Sequence, residues 1–171
     1  LIEAIGSSDG ISKKIVETAL KNKKHVITAN KALISKHGDY LSLLAEKNKV
    51  NLEFEASVCG GIPILRTLKD GLATNKINKV IGILNGTSNY ILSEMEKSKN
   101  SFKKVLNKAQ TLGFAETNPR FDLDGNDVLA KIRILSALSF NNKISKSKCL
   151  MSGIENIDLK DIDLSLIHIW R

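Results

Sequence analysis

Apolar positions recur at helical spacing near the start of the chain. In GISKKIVETALKN (10–22), Ile11, Ile15, Val16, Ala19 and Leu20 share one face with Lys and Glu between them, which predicts an amphipathic helix. HVITA (25–29) is a compact β-favouring run, and residues 50–54 alternate apolar with polar, so both are expected strands. Between them a helical pattern runs through Ala32, Leu33 and Ile34 and resumes over 40–47, with Gly38 as the expected break. The opening LIEAIG has strand character. The first third therefore reads strand, helix, strand, helix, strand, the alternation of a parallel sheet with crossover helices.

Beyond residue 55 the pattern changes. SVCGGIPILRTLKDGL (57–72) has a sharp turn at Gly60-Gly61, with Pro63 suited to the first turn of a helix. KVIGIL (79–84) is a strand candidate, and it runs into NGTSNYILSEM, where residues 85–88 can cap a helix carrying Tyr90, Ile91, Leu92 and Met95. Residues 102–112 and 124–140 are expected helices, and CLMSGIENI (149–157) is a candidate last strand. No repeat or low-complexity linker interrupts the chain.

A chain of 171 residues can hold one good-sized core or two small ones. No apolar run approaches the ~20 residues needed to cross a bilayer, so no spanning helix is expected. The N-terminus, LIEAIGSSDG, has neither a basic n-region nor a cleavable apolar core, so no secretory signal is expected. It lacks an initiating Met and opens in strand-like sequence, the pattern of a chain that begins inside a domain. Cys59 and Cys149 are far apart and have no ligand spacing, so two reduced thiols in a cytoplasmic protein are expected rather than a zinc site. The net charge of +8 comes from 22 Lys and only 4 Arg. The lysines are scattered among acids, with clusters at Lys21, Lys23 and Lys24 and at Lys143, Lys146 and Lys148. Aromatics are 5% of the chain and do not interleave with those clusters. Nucleic-acid modules favour Arg forks and stacking aromatics, so solvated helix faces explain the charge better.

Four stretches carry candidate chemistry. In HVITANKALI, Lys31 stands where a strand gives way to a helix, at the end of the sheet where ligands gather; a plain surface lysine remains open as the alternative. In FEASVCGGIP, small residues and Glu55 allow either a tight turn with a buried salt bridge, the simpler reading, or an oxygen-lined cation site. NGTSNY is a capped helix start that could also hold an anion, with capping the simpler reading.

The fourth stretch is GFAETNPRFDLDGNDVLAKIRIL. Asp127 and Lys131 lie about 40° apart on one helical face, which continues through Ile134, Leu135 and Leu138. An exposed pair at this spacing contributes only ~0.3–0.5 kcal/mol. A buried one costs several kcal/mol of desolvation, so a chain that keeps it is expected to use it. Asp127 can orient Lys131 for proton transfer. Glu116, Asp122 and Asp124 lie just upstream, a polar cluster suited to an ammonium-bearing substrate; acids serving the helix dipole are the alternative.

Taken in order, HVITANKALI, FEASVCGGIPILR, GILNGTSNYIL and AQTLGFAETNPRFDLDGNDVLAKIRIL resemble homoserine dehydrogenase over roughly residues 5–162. The resemblance implies an α/β fold. The C-terminal part of a Rossmann-type nucleotide-binding domain (1–55) is followed by an α+β substrate and dimerisation domain with a mixed sheet (56–162). It implies NADH- or NADPH-dependent reduction of L-aspartate 4-semialdehyde to L-homoserine, on the way to threonine, isoleucine and methionine. Lys131 corresponds to the proton donor, while Glu116 and Asp127 correspond to residues binding the amino-acid portion of the substrate, with Asp122 a further acid. Lys31 corresponds to a lysine at the cofactor and substrate junction, where it shares the proton chemistry, and Gly113 to a cofactor contact. Glu55 with the carbonyls of Val58, Gly60 and Ile62 corresponds to a sodium site. The resemblance also implies a cytoplasmic homodimer or homotetramer acting on a small molecule, with no nucleic-acid or membrane partner.

Two departures stand out. The Gly-rich phosphate loop and the residue that selects NAD or NADP would precede Leu1. DLSLIHIWR (163–171) does not follow the family pattern, so His168 and Trp170 carry no functional argument. The rival readings are another NAD(P)-dependent dehydrogenase of a small amino acid and a non-catalytic basic α/β binding module.

Overall fold

A computed structural model describes residues 1–144 and 149–169. Lys146, Lys148 and Trp170 lie outside the described residues. Two compact units are formed, one from Leu1–Gly82 with Ala130–Cys149, the other from Ile83–Leu129 with Leu150 onward.

The first unit is built on three short parallel strands, β1 (Ile2–Glu3), β2 (Val26–Thr28) and β3 (Leu52–Glu53), in the order β1-β2-β3. Ile2 pairs with Ile27 and Glu3 with Thr28, while Val26 pairs with Leu52 and Ile27 with Glu53. Alternation decides the faces: Val26 and Thr28 are buried and Ile27 is exposed. The crossovers are α1 (Ile11–Lys21) and α2 (Lys31–Asn48). α1 buries Val16, Ala19 and Leu20 of the expected face, but Ser12 is buried in place of Ile11, which is 62% exposed, and Ile15 is half-buried.

α2 corrects one expectation. It runs unbroken through Gly38, which is buried inside it. The glycine answers a packing need, because a Cβ there would fall 2.7 Å from Ile144 Cδ1 and 3.2 Å from Ile34 Cγ2. The backbone N–H of Ile144 also donates to Asp39 Oδ1 at 3.0 Å. The contact spans more than a hundred residues of sequence and leaves no local mark.

After β3 the chain makes a 3-10 turn (Glu55–Ser57) and then bends sharply where Cys59 and Gly61 both take positive φ, 52° and 86°. Pro63 precedes α3 (Ile64–Arg66), which widens into one further turn closed by Leu72 N–H on the Thr67 carbonyl at 2.9 Å. The expected strand at 79–84 does not form. No strand lies alongside it among the described residues, and Ile81 and Ile83 are 79% and 75% exposed. β-favouring composition without a ladder partner gives only extended chain.

The second unit holds α4 (Gly86–Ser98), α5 (Phe102–Thr111), α6 (Arg120–Leu123), the first turn of α7 (Asn126–Phe140) and α8 (Leu159–Ile169). Its core is Ile91 and Met95 of α4, Val105 and Ala109 of α5, Ala115, Leu123 and Ile162, with Ile154, Ile157 and Leu159 packed on it. The expected last strand at 149–157 is a loop instead. Ile154 N–H donates to the Leu123 carbonyl at 2.9 Å, and Asp158 Oδ1 accepts from Lys160 and Asp161 N–H at 2.8 and 3.0 Å to start α8. Its isoleucines serve a helical core, and apolar composition alone cannot distinguish that use from a strand. The mixed sheet implied for this region has no strand among the described residues; the sheet they contain is wholly parallel.

Candidate active site

Asn85 organises the acids of the second unit. It is buried at the N-cap of α4, where its Oδ1 accepts from Ser88 N–H at 2.7 Å. Its amide nitrogen donates to Asp122 Oδ1 at 2.8 Å and to Asp127 Oδ2 at 2.9 Å. Asp122 sits in α6 and Asp127 in the first turn of α7, so one carboxamide joins the starts of three helices. Thr87 Oγ1 adds a 3.2 Å bond to Asp122 Oδ2, and Ser88 Oγ donates to the Asp122 carbonyl at 3.1 Å. The NGTS stretch therefore does more than cap a helix: it holds two carboxylates in fixed orientation. Asp127 is 1% exposed, so this orientation is set away from water.

The remaining acids divide. Asp124, at the end of α6, turns onto the start of α7, accepting from Asn126 N–H at 2.9 Å and Asn126 Nδ2 at 2.7 Å. That is a capping role, and it takes Asp124 out of the expected cluster. Glu116 is exposed on the loop after α5, whose course is held by Gln110 Nε2 on the carbonyls of Glu116 and Thr117 at 3.1 and 3.3 Å. Gly113 opens the same loop with φ 78°, a left-handed position that suits glycine, and its N–H closes on the Gln110 carbonyl at 3.1 Å.

Lys131 lies one helical turn beyond Asp127 on α7, in the stretch that belongs to the first unit. Ile134 and Leu135 on its face are buried, but Lys131 itself is half-buried, less sunken than the apolar pattern predicts. A four-carbon stem can lie along apolar surface while its ammonium reaches polar surroundings. Lys31 is the first residue of α2, next to the cap formed by Asn30 Oδ1 on Leu33 N–H at 3.0 Å, and is also half-buried.

At the second stretch, FEASVCGGIP, Glu55 accepts from Leu65 N–H at 2.9 Å and Arg66 N–H at 2.8 Å, one bond to each oxygen, and so caps α3. The Ile62 carbonyl accepts from Ile64 N–H at 2.8 Å. Among the described residues no group of three or more His, Cys, Asp or Glu could hold a metal. A cation here would rest on backbone carbonyls with a single carboxylate. That is a hard-oxygen donor set of low charge, which suits a monovalent ion in kind.

Asn85 was not legible as a site residue because its partners lie 37 and 42 positions away. The one available signal was an Asn with two amide donors placed before a helix in a chain rich in downstream acids.

Comparison with known proteins gives the class and then the family. A model described as the homoserine dehydrogenase NAD binding domain matches residues 1–55, and one described as homoserine dehydrogenase matches residues 63–166. The homoserine dehydrogenase of Neisseria gonorrhoeae is 48% identical over 162 residues, 95% of this chain and 37% of that protein. The crystal structure of a homoserine dehydrogenase from Thiobacillus denitrificans aligns with a TM-score of 0.93 at 40% identity, over 98% of this chain and 38% of its own. A hyperthermophilic archaeal homoserine dehydrogenase in complex with NADPH aligns at 0.82 with 28% identity, over 91% of this chain and 48% of its own. With the parallel βαβαβ unit, these matches put residues 1–55 in the class of α/β NAD-binding domains. The chain belongs to the homoserine dehydrogenase family. It spans less than half the length of each of these relatives.

Proposed function

We propose that this chain serves the NADH- or NADPH-dependent reduction of L-aspartate 4-semialdehyde to L-homoserine, acting within a protein of its relatives' length. Residues 1–55 contribute to the nucleotide-binding domain and 56–162 to the substrate and dimerisation domain, and the family match runs on to residue 166, into the stretch expected to leave the family pattern. The observation that carries the reading is the Asn85 carboxamide bridging Asp122 and Asp127, with Lys131 one turn further along the same helix. Asp122, Asp127 and Glu116 offer carboxylates to the ammonium of the amino-acid substrate. Lys131 donates a proton to the carbonyl oxygen as negative charge grows on it, and in the reverse direction takes the hydroxyl proton back. Lys31, at the end of β2 and the start of α2, stands at the cofactor and substrate junction, and Gly113 lies against the cofactor. NADH or NADPH, when bound, supplies the hydride.

Glu55 and the carbonyls of Val58, Gly60 and Ile62 hold a sodium ion in this reading. The ion's part is to keep the sharp turn at 58–62 in one conformation. The protein works in the cytoplasm as a homodimer or homotetramer.

The test is an assay of a protein of the relatives' length carrying this segment. Homoserine, but neither other small hydroxy amino acids nor plain alcohols, is expected to reduce the nicotinamide. Sodium in place of tetramethylammonium is expected to raise the melting temperature. Turnover of another amino acid in preference to homoserine would overturn the substrate assignment, and a melting temperature indifferent to sodium would remove the ion.

A further inference from the structure

The sheet of the first unit buries an acid for which the proposed chemistry has no use. Glu3, on β1, is 3% exposed. Its Oε2 accepts from the Thr28 hydroxyl at 2.5 Å, and its Oε1 accepts from Ile5 N–H at 2.8 Å and from Asn30 Nδ2 at 3.3 Å. Thr28 and Asn30 are themselves buried and are tied to each other by Asn30 N–H on Thr28 Oγ1 at 3.0 Å. The Asn30 amide also reaches the Ser7 carbonyl at 2.7 Å, while its Oδ1 caps α2. Burial pushes the Glu3 carboxyl up, but donors from Thr28, Ile5 N–H, Asn30 and Ser12 outweigh it and hold the pKa below its ordinary value. The group is therefore an anion at neutral pH.

Stability alone gives no reason for this anion. Apolar side chains could fill the end of the sheet without the desolvation cost of a carboxylate. What the acid does is geometric. It joins the loop after β1, through Ile5 and Asn30-bound Ser7, to the turn between β2 and α2. Both leave the carboxyl ends of neighbouring parallel strands, where open α/β sheets gather ligands. Lys31 is the next residue after Asn30.

We infer that Glu3 is a positioning residue: its buried carboxylate clamps the β1 loop to the β2–α2 turn and thereby sets where Lys31 stands for proton chemistry. The inference rests on the function proposed above. Gln in place of Glu3 cannot reproduce the clamp. Its NH2 group must face either Ile5 N–H and the Asn30 amide, which are donors, or Thr28, whose hydroxyl proton then loses its acceptor. The turn keeps its sequence but loses its fixed orientation, and an ångström of displacement at a reacting group is enough to lower turnover.

The experiment is a double-mutant cycle of Glu3→Gln and Lys31→Met in a protein of the relatives' length, with kcat taken per cofactor-binding site counted by titration. Glu3→Gln alone is expected to lower kcat about tenfold while the homoserine KM moves less than about threefold. In the Lys31→Met background the same change is expected to alter kcat less than about twofold, because the group it positions is gone. An equal loss in both backgrounds would make Glu3 a purely structural residue and overturn the inference. So would full turnover per site in either single variant. Should Glu3→Gln not fold, Thr28→Val, which removes the hydroxyl and leaves the acid, takes its place in the cycle, and Thr28→Ser is expected to restore turnover. An unmutated protein that binds nicotinamide but does not oxidise homoserine would sink the functional reading and the clamp together, whereas failure confined to the variants sinks the clamp alone.

Discussion

Asn85 meets three demands at once, and each has an energetic consequence. Its Oδ1 caps α4, and its two amide hydrogens go to two different carboxylates, one of them fully buried. Removing the side chain in Asn85→Ala costs about 1 kcal/mol for the cap and about 1–3 kcal/mol for the donors taken from charged acceptors. A destabilisation of about 2–4 kcal/mol is therefore expected from the urea midpoint. Asn85→Asp keeps a cap but brings a third carboxylate beside Asp122 and Asp127. Repulsion raises carboxyl pKa values in the folded protein, so this variant is expected to be most stable in acid and to weaken as pH rises through the carboxylate range. If Asn85→Asp matches the parent at neutral pH, the bridging geometry is wrong.

The elements differ in how far the sequence declares them. The βαβαβ order of the first unit was legible because each piece follows a local rule: a helical stripe in 10–22, a β-rich run in 25–29, alternation in 50–54. The capped start of α4 and the start of α7 were legible for the same reason. The errors share a cause as well. Residues 79–84 and 149–157 have strand composition, but a strand is defined by a neighbour, and none pairs with them among the described residues. Gly38 looks like a helix break until Ile144 is seen against it. Ala at this position gains about 1 kcal/mol of helix propensity, and overpacking against Ile144 costs about 1–3 kcal/mol. Gly38→Ala is therefore expected to be neutral or destabilising in the parent. It is expected to be stabilising by up to about 1 kcal/mol in an Ile144→Val background, where the clashing Cδ1 is gone. Identical shifts of the urea midpoint in both backgrounds would show that the glycine is not there for Ile144.

At the scale of the whole chain, family membership displaces the reading of a basic binding module, and the +8 charge then needs no anionic partner to explain it. The described residues contain no helix long and apolar enough to cross a membrane. The site was legible in its residue types but only partly in its arrangement. Asp122 and Asp127 are drawn together, Asp124 is diverted to capping, and the residue joining the pair, Asn85, is marked in its local sequence only as a helix cap, its two partners lying 37 and 42 positions away. Homoserine oxidation is proposed for a protein of which this chain corresponds to less than half. Within it the central claim concerns Lys131 as the proton donor on α7. The most direct measurement is steady-state turnover of Lys131→Ala alongside its affinity for the nicotinamide cofactor, in a protein of the relatives' length. A fall in kcat of about 100-fold or more with cofactor affinity unchanged within about threefold is expected of a lost general acid. Turnover near that of the parent would contradict the assignment.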